Sequence, residues 1–577
     1  MDQILVSILS NRLKAIGRQM GVVIERSAHS PLLVEGRDFS LGIYDSTGNL
    51  IEQTEYIPIL GYAASPGVKA VVSYFGDDVH EGDVYLHNDP FTGGNQNSDW
   101  KVLKPVFHQN ECVAWTVITA HQADVGGAVP GSYNPNATDL WQEGLRITPL
   151  KIYDKGKIRN DVWDLIIGNV RLPIVGDDIH AMIGGCTVGE RELKILFEQY
   201  SKEIIYEAVE EIFNSTERMA KKIIKGMPNG TYSASWIVRD DGHNHEAEMK
   251  IDVTIEVEDE HITFDFEGTS PQTKGYVNAP YPVTLSSVMI TFFMLSEQEI
   301  AHNEAVQRCI TVNVPEGSML NPKYPAASGF GNHLSDQVCS VIMLALSEAL
   351  PERITAGWNT LLSSIINGYD SKKEVAYVDI LLNGNKGGSG GTHGTDGYDH
   401  IGLIASGGAL AAQDPEMFEM VNPVFLTKYE YSEDSAGAGE WRGGLGVDTA
   451  FTFLDDGGQA SIFGDGATED TRAPGTLGGK SGGINSIELF YPNNQVYKTH
   501  VKDLVSDIPK DTIYKQTAGG GGGYGDPTKR PVEKVAYDVR CGYVSEKVAL
   551  EEYKVAFQDT KRGIVDSIRT QELRQTV

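Results

Sequence analysis

The sequence predicts a multi-domain α+β protein. It divides into a β-rich N-terminal region led by a helix, a helical middle with a β-hairpin, and a glycine-rich β C-terminal region. Three observations carry that expectation. At 577 residues the chain is too long for one hydrophobic core, so two to four domains are expected. The apolar period then changes along the chain, from a helical spacing near the start and over 190–225 to strict alternation over 247–266. Finally, 63 glycines make up about 11 % of the residues, against a typical ~7 %, and they dominate from about residue 385 onward. The expected units are 1–185, 186–385 and 386–577.

The elements follow in order. Ile4, Leu5, Ile8, Leu9, Leu13, Ile16, Met20, Val23 and Ile24 mark one face of an amphipathic helix, with Asn11, Arg12, Lys14 and Arg18 between them. From Leu41 to about Leu150, short β-like runs are divided by glycine and proline, as in Val84-Tyr85-Leu86 before Asn88-Asp89-Pro90. A second helical signal runs from about Glu190 to Lys225, with Leu193, Leu196, Phe197, Ile204, Val209, Ile212 and Phe213 on its apolar side. Met249, Ile251, Val253, Ile255 and Val257 then alternate with polar residues. After a turn at Asp259-Glu260 the alternation resumes with Ile262, Phe264 and Phe266, which reads as a hairpin with one wet face. Two apolar helices are expected near 282–297 and 335–350, the second opened by Ser335-Asp336 as caps. Beyond residue 385 helices are not expected until the last ~25 residues, and no fixed-period repeat stands out.

Composition limits the function classes. The 79 acidic side chains outnumber 48 basic ones, giving a charge of −31; this argues against binding a phosphate backbone or an anionic membrane. The 41 % hydrophobic content excludes a disordered chain. Five scattered cysteines without a CxxC pair argue against a disulfide framework or a thiolate zinc site. The first helix is amphipathic rather than a signal peptide, and Val283 to Leu295 is too short to span a bilayer. A soluble, cytoplasmic protein is expected.

The motifs that suggest chemistry are unequal. Gly475 to Ser481 imitates a phosphate loop, but the first glycine that loop needs is replaced by Pro474, which has no amide hydrogen; a turn is expected. Gly519 to Gly523 lacks strand-then-helix flanks, which favours a close-packing role. No nucleophile elbow occurs where a strand meets a helix. His243 and His245 form a metal-like fragment, although their polar setting before a hairpin favours an ordinary loop. The better constellation lies in the first 150 residues, where Asp38, Asp99, His121 and Asp124 stand at strand ends or on the loops that follow. Carboxylates and imidazole delivered from separate strand ends suit a divalent cation or an acid/base site, and equally suit caps and turns.

Glu35-Gly36-Arg37-Asp38-Phe39-Ser40, His87-Asn88-Asp89-Pro90-Phe91-Thr92-Gly93-Gly94 and His121-Gln122-Ala123-Asp124-Val125-Gly126-Gly127 resemble the hydantoinase B/oxoprolinase family. The resemblance continues in order through Pro130-Gly131-Ser132, Glu143-Gly144 and Phe266 to Gln272. Val314 to Ser318, Glu433 to Gly439, Arg442 to Gly446, Gly520 to Pro527 and Asp538 to Ser545 complete it. It implies a large subunit working with a hydantoinase A-type partner that carries ATP and Mg2+, and with small subunits in some assemblies. Members include N-methylhydantoinases, 5-oxoprolinases, caprolactam-type lactamases and acetone or acetophenone carboxylases. They use ATP to phosphorylate an amide or enol oxygen, in keeping with the absence of a phosphate loop here.

The resemblance also implies a metal site, for zinc or manganese, at Asp38, Asp99 and His121. A fourth family position, usually histidine, holds Gln96. A neutral amide is a poorer ligand than imidazole, and ring opening profits from a metal-activated water. On that ground the sequence leans towards a ketone carboxylase subunit of the acetophenone type, taking a ketone and bicarbonate, with His121 and Asp124 as the catalytic residues, His121 as acid/base group and Asp99 or Asp38 orienting it. The alternatives are ATP-dependent opening of a cyclic amide (hydantoin, oxoproline or lactam) and a non-catalytic scaffold.

Overall fold

The computed structural model describes residues 2–54, 56–296 and 299–575. The N-terminal sheet contains seven strands: β1 (Phe39–Asp45), β2 (Leu50–Thr54), β3 (Val84–His87), β4 (Asp99–His108), β5 (Glu111–His121), β6 (Leu150–Asp154) and β7 (Lys157–Ile158). Their order is β2-β1-β5-β4-β3-β6-β7, antiparallel throughout. The expected first helix runs Gln3–Ser27 and buries Leu9, Leu13, Ile16, Met20 and Ile24. It packs with the helix Ile174–Gln199 on one face of the sheet, against Trp100 and Ile118. The helix Ser65–Phe75 covers Tyr85, Leu103 and Trp115 on the other. Both faces are therefore dry, and β1 shows continuous burial rather than alternation.

The helical signal at 190–225 resolves into two helices, Ile174–Gln199 and Lys202–Lys225. Ser201 separates them and accepts a hydrogen bond from the Ile204 amide, an N-cap that restarts the helix. The expected unit boundary at 185 falls inside the first of these helices.

The middle sheet has the order β11-β10-β9-β8, from β8 (Gly230–Arg239), β9 (Glu248–Glu258), β10 (His261–Asp265) and β11 (Ile310–Asn313). The hairpin β9–β10 is as expected, and β9 alternates buried and exposed residues along its length. Helices Tyr281–Met294 and Ser335–Ala345 bury their apolar residues in the core that includes this sheet. The capping expectation at Ser335-Asp336 is corrected: a 3-10 turn, Gly331–Leu334, leads into the helix, and neither side chain caps it. The Asp336 carboxylate accepts the Ala405 amide instead.

Two further sheets build the C-terminal part. One has the order β13-β12-β16-β19, from β12 (Leu362–Asp370), β13 (Val375–Ile380), β16 (Gly458–Gly464) and β19 (Lys502–Ile508). The other has the order β14-β15-β20-β17-β18, from β14 (Val424–Tyr431), β15 (Val447–Phe453), β17 (Ser486–Phe490), β18 (Val496–Lys498) and β20 (Ile513–Thr517). Because β12 pairs with β16, the expected boundary at 385 separates strands that share a sheet. Helices also appear earlier than expected, at Pro415–Val421 and Val532–Arg540. The latter is tied down by Arg530, 1 % exposed, which grips Asp396 with both terminal nitrogens (2.6 and 2.9 Å) and also reaches Asp538 at 2.8 Å.

Behind these sheets the glycines form a slab of bare backbone. Gly521 donates to the Gly444 carbonyl, Gly522 to Gly357 and Gly523 to Lys480, at 2.8–3.0 Å. A Cβ on Gly521 would lie 1.9 Å from the Ser389 carbonyl oxygen, and one on Gly388 1.9 Å from that of Gly444. The polyglycine run is a packing element, and no side chain fits between its neighbours.

Candidate active site

Strand register brings the site together. Asp99 opens β4 directly opposite His121, which closes β5. On the other side of β5, Phe39 pairs with Ala120, and the His121 amide donates to the Asp38 carbonyl at 3.1 Å. Three residues separated by up to 83 positions therefore stand at one end of the adjacent strands β1, β5 and β4. Gln96 arrives from the turn before β4, where the Asp99 amide closes back on the Gln96 carbonyl.

The side chains form one buried network. His121 Nδ1 lies 2.7 Å from Asp99 Oδ1; the carboxylate accepts, so Nδ1 carries the proton. That leaves Nε2 free of protein hydrogen bonds among the described residues. The Asp99 carboxylate also accepts from Asn95, whose own oxygen takes a hydrogen bond from Lys101 Nζ at 2.8 Å. Gln96 Nε2 donates to Asp99 Oδ1 and to the Tyr133 hydroxyl, both at 3.2 Å. Tyr133 in turn lies 2.8 Å from His333 Nε2.

Burial and charge set the protonation states. Burial raises the Asp38 carboxyl to about 6, the His121 charge opposing and Asp99 assisting. Burial presses His121 down, but the hydrogen bond and charge of Asp99, with Asp38, prevail and raise it. His333 falls to about 3 through burial and the nearby His121 charge, so it is the neutral acceptor that Tyr133 requires. Burial lowers Lys101 to about 8.

Asp38, Gln96, His121, Tyr133 and His333 line a narrow cavity. Its remaining wall is mostly apolar, from Ile57, Ile59, Leu361, Leu403, Leu410 and Phe463, with the Tyr133 ring stacked on Phe463 at 4.3 Å. Asp336 also opens onto it, raised to about 7 by burial. Tyr133, His333 and Asp336 carried no recognisable spacing in the sequence, because they come from a loop, a 3-10 turn and a helix start brought in by tertiary packing.

Asp124 is not part of this group. Its carboxylate accepts the amides of Gly126, Gly131 and Arg171 and pairs with the Arg171 guanidinium at 3.1 Å. It anchors the loop after β5 and has no exposed surface.

The expected metal set at Asp38, Asp99 and His121 does not fit a closed coordination shell. Among the described residues these donor atoms do not form a group lying within 4.8 Å of one another, and Gln96 turns its NH2, which cannot ligate, towards Asp99. Among the described residues, the histidine and carboxylate donors that do converge are Asp240, His245 and His500. His243 takes no part.

Comparison with known proteins agrees with this architecture. The chain is 31 % identical to the caprolactamase beta subunit of Pseudomonas jessenii over 572 residues, 96 % of each chain. The crystal structure of ATP-dependent caprolactamase from that organism superposes with a TM-score of 0.92 at 30 % identity, covering all of both chains. The B-type chain of a putative D-/L-hydantoinase from Pseudomonas sp. (strain NS671) is 28 % identical, covering 100 % of this chain and 98 % of the relative. A nucleotide-free acetone carboxylase structure shares the fold, with a TM-score of 0.90 at 20 % identity over 100 % of this chain and 83 % of the other. The family model for hydantoinase B/oxoprolinase matches residues 2–527, and the chain belongs to that family.

Proposed function

We propose that this chain is the hydrolytic subunit of an ATP-dependent enzyme that opens a small cyclic amide. The observation that carries the chemistry is the buried His121–Asp99 pair beside a mostly apolar cavity. The substrate class rests on the similarity to the caprolactamase beta subunit, at 31 % identity across nearly the full length. The lean towards ketone carboxylation is revised accordingly: it rested on Gln96 alone, and at 20 % identity the acetone carboxylase likeness speaks for fold only.

ATP, bound on an A-type partner, supplies phosphorylation of the amide oxygen. The residues of this chain do the rest. His121 Nε2 takes a proton from the water that adds to the activated carbon, and Asp99 holds the imidazole in the tautomer that leaves Nε2 basic. The same proton then goes to the ring nitrogen. As the C–N bond breaks, the added hydroxyl gives up its proton and becomes the carbonyl of an acyl phosphate, which a second water cleaves to the carboxylate and inorganic phosphate. Ile57, Ile59, Leu403 and Phe463 surround a hydrocarbon ring and keep bulk water out.

The test is reconstitution with the A-type partner. ATP-dependent opening of a lactam or hydantoin without bicarbonate is expected, and His121→Ala lowers it by about 10²–10⁴-fold. Incorporation of labelled bicarbonate into a ketone, with no ring opening, would overturn the reading. Full activity of His121→Ala in an intact complex would instead make the chain a scaffold.

A further inference from the structure

We infer that Asp240, His245 and His500 form a second, cross-sheet binding site for a divalent transition ion such as Zn2+. One donor atom from each residue lies within 4.8 Å of the others. Asp240 and His245 belong to the loop joining β8 to β9, whereas His500 lies between β18 and β19 of the C-terminal part. The imidazoles of His245 and His500 face each other with centroids 3.9 Å apart and planes 7° from parallel. His245 Nδ1 is 3.0 Å from Asp240 Oδ2.

Two imidazoles and one carboxylate are the N,N,O set that zinc and its neighbours favour, with solvent free to complete the shell. Asp240 is buried, and both histidines are solvent-accessible, so the site has a fixed base and an open side. Tetrahedral bonds of about 2.1 Å need donors about 3.4 Å apart. In the stacked arrangement the in-plane lone pairs of the two rings do not converge, so binding requires the exposed His500 side chain to rotate out of the stack and turn a nitrogen towards Asp240 and His245. The surroundings favour a cation. Asp241 follows Asp240 directly, and Asp503 accepts the His500 amide at 3.1 Å. The nearby cations are already engaged: Lys502 Nζ donates to the carbonyls of Arg239 and Gly464, and Arg239 pairs with Glu248 and Asp470. None of the three ligands lines the active-site cavity. The ion would tie the tip of the middle sheet to the C-terminal part, where Lys502 and the Arg239 carbonyl already meet at 2.9 Å.

The experiment is calorimetric titration of the metal-stripped full chain with Zn2+. One equivalent binding at micromolar affinity or tighter is expected, and His500→Ala weakens it at least about 100-fold. As His500 is exposed, this variant leaves the fold intact, and its melting temperature without metal matches wild type. The double variant Asp99→Asn/His121→Ala keeps the zinc, which separates this site from the active site whatever reaction that site performs. X-ray absorption should show nitrogen and oxygen neighbours at about 2.0–2.1 Å. No saturable zinc binding by wild type, equal binding by His500→Ala, or loss of the zinc in the double variant overturns the inference.

Discussion

Replacing Asp99 by asparagine removes one charge and almost no volume, and isolates what the buried carboxylate does. In the wild type, Asp99 Oδ1 accepts the His121 Nδ1 proton at 2.7 Å, from a residue with no exposed surface. An asparagine that turns its NH2 towards Nδ1 stabilises the other tautomer. The proton then sits on Nε2, the nitrogen that must be basic. Loss of a correctly placed general base costs about 10²–10⁴ in rate, which is about 2.7–5.4 kcal/mol at 1.36 kcal/mol per decade. The assay is the steady-state rate of ATP-dependent ring opening by the reconstituted complex, with kcat and KM separated. Because Asp99 does not line the cavity, the loss should fall in kcat, with KM changed little. The pH profile should move as well. Asp99 raises His121, so the wild-type rate climbs with pH only as that elevated group deprotonates, and without the carboxylate the rise shifts to lower pH. A folded Asp99→Asn complex with kcat within about threefold of wild type would refute the base assignment.

Three further outcomes are expected. Gln96→His replaces the amide wedged between Asp99 and His121 with an imidazole. The purified variant should carry about one equivalent of zinc more than wild type by elemental analysis, and a metal content equal to wild type would contradict the fit argument. Asp379 is buried against the Asn422 amide (2.6 Å) and raised to about 7. Its contribution to stability is full below about pH 4 and is lost as pH rises to about 7, by roughly 4 kcal/mol over three pH units. Asp379→Asn should therefore flatten the fall in melting temperature between pH 5 and 8, as scanning calorimetry can record. Arg530→Leu removes the short ion pairs of Asp396 and Asp538. Among the described residues it leaves only the Arg442 guanidinium at 3.8 Å from Asp538 and the Arg442 amide on Asp396, costing up to about 3–5 kcal/mol; it should show as early proteolysis near the helix Val532–Arg540, and resistance equal to wild type would count against the ion-pair account.

Local patterns carried most of what the sequence disclosed. The helix Gln3–Ser27 and the hairpin β9–β10 were legible because each has one wet face, so the apolar period survives in the residues. β1 and β8 were harder. β1 is dry on both faces and has no alternation, and β8 begins Gly230-Thr231-Tyr232-Ser233, with few apolar residues. The Ser201 break was hidden because helical periodicity resumes within three residues. In the site, Asp38, Asp99 and His121 stood out as carboxylates and an imidazole near strand ends, the family resemblance added their metal role, and only the β1-β5-β4 register explains why they meet. Asp124 shares a motif with His121 yet faces into its own loop, since sequence spacing does not reveal which way a side chain turns after a strand ends. His500 lies 255 positions from His245, a distance that no local pattern bridges.

The bare-backbone slab around Gly519 to Gly523 constrains how this protein can vary. Elsewhere in a core, a substitution can be absorbed by a smaller neighbour or a shifted rotamer. Here the nearest neighbour of each missing side chain is a backbone carbonyl, and those of Ser435, Ser389, Pro474 and Ala438, against Gly520 to Gly523, are held in hydrogen bonds that a retreat would break. Every replacement for glycine adds at least a Cβ, so no conservative exchange exists at these positions, and none of the surrounding residues can compensate by shrinking. This segment is therefore almost unable to accept substitution, whatever the rest of the chain tolerates.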